Sequence, residues 1–262
     1  MRINKNVIIY FSGTGNSLYV AKNIGKSLDY ELINVKDIND LRLDFRGSTL
    51  GLVFPTYYAR VPKIMEEFIS KLTISSDAYL FVVITHGGGP SIVLNRLKKI
   101  LSDKVDRSSG FLVKMPGNNI FNYGAADEKK ILRTIHRSDK RIIDIVKRIQ
   151  ENECKWDRSY ILIDTAIDLI FGGVTDKIIA DIKRTSESFT VDDTCSSCQQ
   201  CAVLCPGENI YFNKNLPYWR SNCEKCGACI QWCPNQSIDW KGKTSKRKRY
   251  RNPFIEVSEL KS

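Results

Sequence analysis

Cys195-Ser-Ser-Cys198-Gln-Gln-Cys201-Ala-Val-Leu-Cys205-Pro206 is followed by Cys223-Glu-Lys-Cys226-Gly-Ala-Cys229-Ile-Gln-Trp-Cys233-Pro234. Each run spells C-x2-C-x2-C-x3-C-P. An offset of 28 residues joins every cysteine pair and also Ile210 to Ile238, so the region reads as two copies of one unit. Three of the four thiolates in each run come from a tight turn leading into a helix. Pro206 and Pro234 end the ligating turns, because proline neither continues a helix nor donates an amide hydrogen.

A cubane iron–sulfur cluster needs four soft thiolates converging on four corners, and equal short steps followed by C-P suit that demand. Zinc prefers C-x2-C pairs separated by a longer loop. A disulfide framework fits poorly where the N-terminus shows nothing like a secretory signal. The region resembles bacterial two-cluster ferredoxins, in which the fourth cysteine of each run ligates the other cluster. The resemblance implies one [4Fe-4S] site of Cys195, Cys198, Cys201 and Cys233, and a second of Cys223, Cys226, Cys229 and Cys205. The ninth cysteine, Cys154, stands apart and reads as a thiol with no assigned role.

Forty basic and 29 acidic residues give a formal charge of +11, which alone points toward nucleic acid. Two clusters with their deprotonated ligands carry about −4 together, leaving roughly +7. An acidic protein partner is then as plausible as a polynucleotide. No run of about 18 apolar residues is present, so no membrane span is expected and a cytoplasmic location is.

The N-terminal half alternates in period. Asn6-Val-Ile-Ile-Tyr-Phe11 is a short apolar run, followed by Ser12-Gly13-Thr14-Gly15-Asn16-Ser17 and a helical pattern with Leu18, Val20, Ala21, Ile24 and Leu28 on one face. Hydroxyls, permissive glycines and a helix N-terminus together bind phosphate. The loop lacks the Lys of a Walker motif and the G-x-G-x-x-G of a dinucleotide fold. A tight turn is the plain alternative for the hexapeptide taken alone.

Further strands are expected at 31–35, 50–54, 78–84 and 110–113, with helices between them. Strands alternating with helices argue for a parallel sheet covered on both faces, with ligands at its carboxyl edge. There stand Pro55-Thr56-Tyr57-Tyr58-Ala59-Arg60 and Thr85-His86-Gly87-Gly88-Gly89-Pro90. Residues 1 to about 150 resemble flavodoxin-type FMN domains. The resemblance implies that Ser12, Gly13, Thr14, Gly15, Asn16 and Ser17 hold the phosphate of FMN. Pro55, Thr56, Tyr57, Tyr58, Thr85, His86, Gly87, Gly88 and Gly89 would border its ring system, with packing as the plainer role for Tyr57, Tyr58 and His86.

A Gly- and Asn-rich connection at 114–124 is either a flavin cover or an ordinary surface loop. A helix from Asp127 to about 150 follows, with many Lys and Arg on its outer face. The expected organisation is a flavodoxin-like domain at 1–152, a helical connector at 153–190, a two-cluster domain at 191–240 and a basic tail at 241–262. The expected fold class is α/β, a flavodoxin-like doubly wound parallel sheet with a small C-terminal two-cluster ferredoxin-like domain.

The tail holds seven basic residues between Lys241 and Arg251 and reads as a solvated or docking strip. The whole is similar to fused flavodoxin–ferredoxin proteins of anaerobic prokaryotes. That resemblance implies two [4Fe-4S] clusters and FMN passing electrons from a low-potential donor to an acceptor at the Tyr57, His86 and Asn118 edge. An acidic ferredoxin or flavodoxin is the expected partner, and a small-molecule acceptor is compatible. A pure electron carrier between proteins is the alternative.

Overall fold

In the computed structural model, residues 5–38, 44–45, 48–75, 77–88, 92–157 and 186–261 are described. The chain divides into two compact units. Residues 1–12, 16–116 and 128–170 form the first, and 13–15, 117–127 and 171–262 the second. Among the described residues no helix is long and apolar enough to cross a membrane.

The first unit is built on five parallel strands, β1 Val7–Tyr10, β2 Glu31–Asn34, β3 Thr49–Pro55, β4 Tyr79–His86 and β5 Arg107–Lys114. Their order is 2-1-3-4-5, the flavodoxin-like doubly wound order. A separate two-residue pair joins Asp44–Phe45 to Thr73–Ile74. β1 is buried throughout, as are six of seven residues of β3 and seven of eight in β4. Helices cover both faces of such a sheet, so its strands are continuously apolar rather than alternating.

Four helices present apolar stripes to this unit: α1 Asn16–Leu28, α2 Lys63–Lys71, α3 Ile92–Ser102 and α4 Glu128–Gln150. On α4, Ile135, Ile142, Ile145 and Ile149 are buried at helical spacing.

Of the expected helical connector at 153–190, residues 158–185 lie outside the described residues; 153–157 are not helical, and Ser186–Ser188 forms a 3-10 turn. Trp156 instead bridges in parallel to Gly110 of β5. A Cβ on Gly110 would meet the Trp156 ring at 2.0 Å, so only glycine admits the indole. Asp157 then accepts from the Leu112 backbone N–H at 2.9 Å, from Arg141, and from Arg148 at 3.1 Å.

The second unit has two antiparallel pairs, β6 Phe189–Val191 with β9 Ile238–Trp240, and β7 Ile210–Asn213 with β8 Leu216–Trp219. Its short helices are α5 Gln200–Val203 and α6 Ala228–Trp232. The sequence repeat is also a backbone repeat. Left-handed φ values occur at Ser197 and Lys225, at Gln199 and Gly227, and at Glu208 and Gln236, each pair 28 residues apart. Five of these six are neither glycine nor Asn/Asp, so the turns are imposed by their surroundings rather than by residue preference.

Two boundaries differ from expectation. Residues 117–127 belong to the second unit, where Ile120 and Phe121 join a core with Phe189, Ile230, Ile238 and Trp240. The segment after 240 is only partly a solvated strip, its lysines exposed but other residues packed. Thr244, Tyr250 and Asn252 are buried, as are Ile255 and Leu260.

Candidate functional site

The carboxyl ends of β1, β3 and β4 gather Ser12, Thr56 and Thr85 at one edge of the first unit's sheet. Thr56 donates its backbone N–H to the Thr85 carbonyl at 3.0 Å. Asn16 and Ser17 open α1 and are buried. Asn16 Nδ2 donates to the Pro116 carbonyl at 3.1 Å, and Ser17 Oγ shares a hydrogen bond with Thr85 Oγ1 at 2.8 Å.

Beyond Pro55 the chain reverses at once. Tyr57 and Arg60 exchange two backbone hydrogen bonds, and Tyr58 and Ala59 between them take φ values of 51° and 60°. This is the dihedral pattern of a type I′ turn, which favours Asn-Gly. Neither residue relieves the strain, and strained backbone of this kind clusters at ligand sites. Tyr57 packs edge-on against Phe11 at 6.1 Å between centroids.

His86 ends β4, where its Nδ1 is buried and has no hydrogen-bond partner among the described residues. Burial lowers its pKa, and Lys114 adds to the effect, so the ring is neutral at pH 7. Gly87 and Gly88 follow as exposed bends, with Gly88 at φ 118°. Gly89 lies outside the described residues. A buried ring nitrogen without a protein partner, at the edge where such sheets bind ligands, fits a bound polar group.

Gly13, Thr14 and Gly15 belong to the second unit. The Gly13 carbonyl accepts from Trp232 Nε1, the Thr14 carbonyl from the Asn252 N–H, and Thr14 Oγ1 from Asn118 Nδ2. Gly15 has φ 92°, and a Cβ there would lie 2.9 Å from Asn252 Cβ. The position therefore needs glycine on both counts. Asn118 engages Thr14, and Asn119 Oδ1 is buried with no partner among the described residues.

The cysteines of the two runs are brought together crosswise. One apolar cavity is lined by Cys195, Cys198, Cys201 and Cys233, with Phe212, Pro217 and Ile238 in its wall. Cys226 and Cys229 lie within electrostatic reach of Cys205 and Cys223. Backbone N–H groups of Asn209 and Lys225 donate to Cys205 Sγ and Cys223 Sγ at 3.3 Å each, and Cys233 Sγ meets Ser237 Oγ at 3.2 Å. Cys154 is exposed.

Burial pushes the Cys201 thiol up to about 12 and Cys223 up to about 11, and raises Cys226 and Cys229 well above the ordinary value. Bare thiolates are disfavoured there, whereas metal coordination deprotonates a thiol outright. Among the described residues no group of three His, Cys, Asp or Glu side chains is set to hold a single metal ion. One tetrahedral zinc, with Zn–S near 2.3 Å, needs its sulfurs about 3.8 Å apart. Four cysteines around one apolar cavity are the soft ligand set that a polynuclear iron–sulfur cluster takes.

No family model matches the chain, and no curated protein does. Solved structures similar to part of it include a flavodoxin from the domain Archaea, 15% identical with TM-score 0.35, covering 56% of this chain and 99% of that one. An FMN-dependent NADH-azoreductase from Bacillus anthracis in complex with FMN is 13% identical with TM-score 0.40, covering 56% and 99%. Trp repressor binding protein from Bacillus subtilis is 17% identical with TM-score 0.37, covering 55% and 96%. The strand order described above, not these likenesses, carries the fold.

Four further residues of the second unit matter at the cysteine sites. Gln231, buried between Cys229 and Cys233, donates Nε2 to the Asn118 carbonyl at 2.9 Å and accepts from the Tyr250 N–H at 2.7 Å. Arg251 donates Nε to the Gln231 carbonyl at 2.7 Å and Nη2 to the Cys233 carbonyl at 3.0 Å, and packs over Trp232. Arg247 donates to the Ile120 carbonyl at 2.8 Å. Arg249 donates Nη2 to the Ile238 carbonyl at 3.0 Å. The basic tail thus divides by residue type: Lys241, Lys243, Lys246 and Lys248 are exposed, while the arginines bind carbonyls.

Proposed function

We propose that this chain is an iron–sulfur flavoprotein oxidoreductase that takes electrons from a low-potential donor through two [4Fe-4S] clusters to FMN, which reduces an acceptor. The observation that carries the reading is the crosswise grouping of the cysteines, with three of each four drawn from one run and the fourth from the other. The clusters supply one-electron transfer, and FMN joins one-electron to two-electron chemistry.

The chain's own residues bind, orient and exclude water. Cys195, Cys198, Cys201 and Cys233 hold one cluster, and Cys205, Cys223, Cys226 and Cys229 the other. The N–H groups on Cys205 and Cys223 offset thiolate charge. The loop from Ser12 to Ser17 holds the FMN phosphate through backbone N–H groups and the dipole of α1. Tyr57 and Tyr58 wall the ring system. The neutral His86 offers Nδ1 to its polar edge. The exposed lysines at 241, 243, 246 and 248 steer an acidic ferredoxin or flavodoxin to the second unit.

A Cys226→Ala variant is expected to retain FMN and to lose reduction of the flavin by a protein donor. Flavin reduction at the unaltered rate would contradict the path.

A further inference from the structure

We propose that Arg249 raises the reduction potential of the cluster held by Cys195, Cys198, Cys201 and Cys233, by holding a positive charge and two N–H groups against that site. The inference rests on the two-cluster reading. Arg249 Nη2 donates to the carbonyls of Ile238 and Gln236 at 3.0 and 3.4 Å. These bonds fix the guanidinium against the loop from Pro234 to Ile238, four of whose residues also line the first cysteine cavity.

The rest of the guanidinium is what sets it apart. Nε and Nη1 are buried and have no acceptor among the described residues. A buried charge with unused donors is costly unless an anion sits beside it. Cys233, Asp239 and Cys229 are within its electrostatic reach, the two cysteines one from each set of four, and Asp239 already accepts from Thr244 and Ser245. Arg251, by contrast, spends two donors on the carbonyls of Gln231 and Cys233 and so positions backbone.

An anionic cluster supplies the missing acceptor, because its sulfurs accept N–H groups. Reduction adds one negative charge to the cluster. A fixed cation and N–H donors therefore stabilise the reduced form more than the oxidised one. Burial leaves the interaction little screened by salt.

The test is an anaerobic, EPR-monitored redox titration of the full chain, after assay of iron and acid-labile sulfide. It compares wild type, Arg249→Gln, Arg249→Lys and Lys246→Gln, the last removing the same charge at an exposed position. Arg249→Gln is expected to lower the equilibrium constant for reducing one cluster at least tenfold, about 59 mV for a one-electron couple. Arg249→Lys, which keeps the charge but not the planar fork, is expected to lower it by less, yet by more than Lys246→Gln. If the Gln variant does not retain its clusters, the Lys variant decides. Loaded Arg249 variants whose midpoints move no further than that of Lys246→Gln overturn the role of Arg249. A wild-type chain without iron and sulfide overturns the two-cluster reading itself.

Discussion

The indole Nε1–H of Trp232 donates to the backbone carbonyl of Gly13 at 3.0 Å, across 219 positions of sequence. Trp232 precedes Cys233 at the end of α6 and is buried, while Gly13 opens the left-handed bend at Gly15. The bond lies within the second unit and ties the helix before Cys233 to the Gly13–Gly15 bend. Replacing Trp232 with Phe keeps most of the packing but leaves a buried carbonyl without its donor. A stability loss of about 1–3 kcal/mol is expected, read by denaturant titration at unchanged iron content. An unaltered midpoint would show that water replaces the donor without cost.

Gln231 anchors two segments at once, so its removal should cost more than that of an ordinary polar residue. Gln231→Leu removes one of the two donors on the Asn118 carbonyl, which keeps the Ile120 N–H, and takes the side-chain acceptor from the Tyr250 N–H. The expected loss is roughly 2–4 kcal/mol, with faster bleaching of cluster absorbance in air. Bleaching at the wild-type rate would argue that the carboxamide does not hold this region closed.

The crosswise grouping has a consequence that sequence proximity would not give. Cys233→Ala should leave the same surviving EPR signal as Cys198→Ala, although Cys233 lies in the other run. Cys205→Ala should match Cys226→Ala. Pairing of the signals by run instead would refute the crossing.

Much of this was legible in residue patterns. Continuous apolar runs marked the buried strands, and helical spacing marked α1 and α4, because a covered parallel sheet leaves no other way to bury them. The cysteine spacing pointed to turns that the backbone repeats at 197 and 225. The tail was not legible. Arg247, Arg249 and Arg251 look like the lysines beside them, since a carbonyl acceptor distant in sequence leaves no local signal. Nor did Gly110 reveal that it admits Trp156, as a glycine in a strand has several explanations.

Asp157 links β5 to α4 by a pH-dependent bond. Burial alone would raise its pKa, but hydrogen bonds from Arg141, the Leu112 N–H and Arg148, together with the arginine charges, hold it below the ordinary carboxylate value. A depressed carboxylate contributes stability above its unfolded pKa of about 3.9 and loses it as pH falls through the folded value. Asp157→Asn should therefore destabilise the protein by about 2 kcal/mol at pH 7, with the gap to wild type closing below about pH 4. A gap independent of pH would place the effect in packing rather than charge.

The exposed lysines make a separate, kinetic claim. Lys246→Glu with Lys248→Glu should slow reduction by an acidic protein donor severalfold at low ionic strength, with the difference fading at high salt. Equal rates at low salt would place the docking surface elsewhere.

The most direct test of the central claim is the content of iron, acid-labile sulfide and flavin in protein purified without air. Two clusters and one FMN predict about eight iron and eight sulfide per chain, with about one flavin. Zinc in place of iron, or iron without sulfide, would contradict the account.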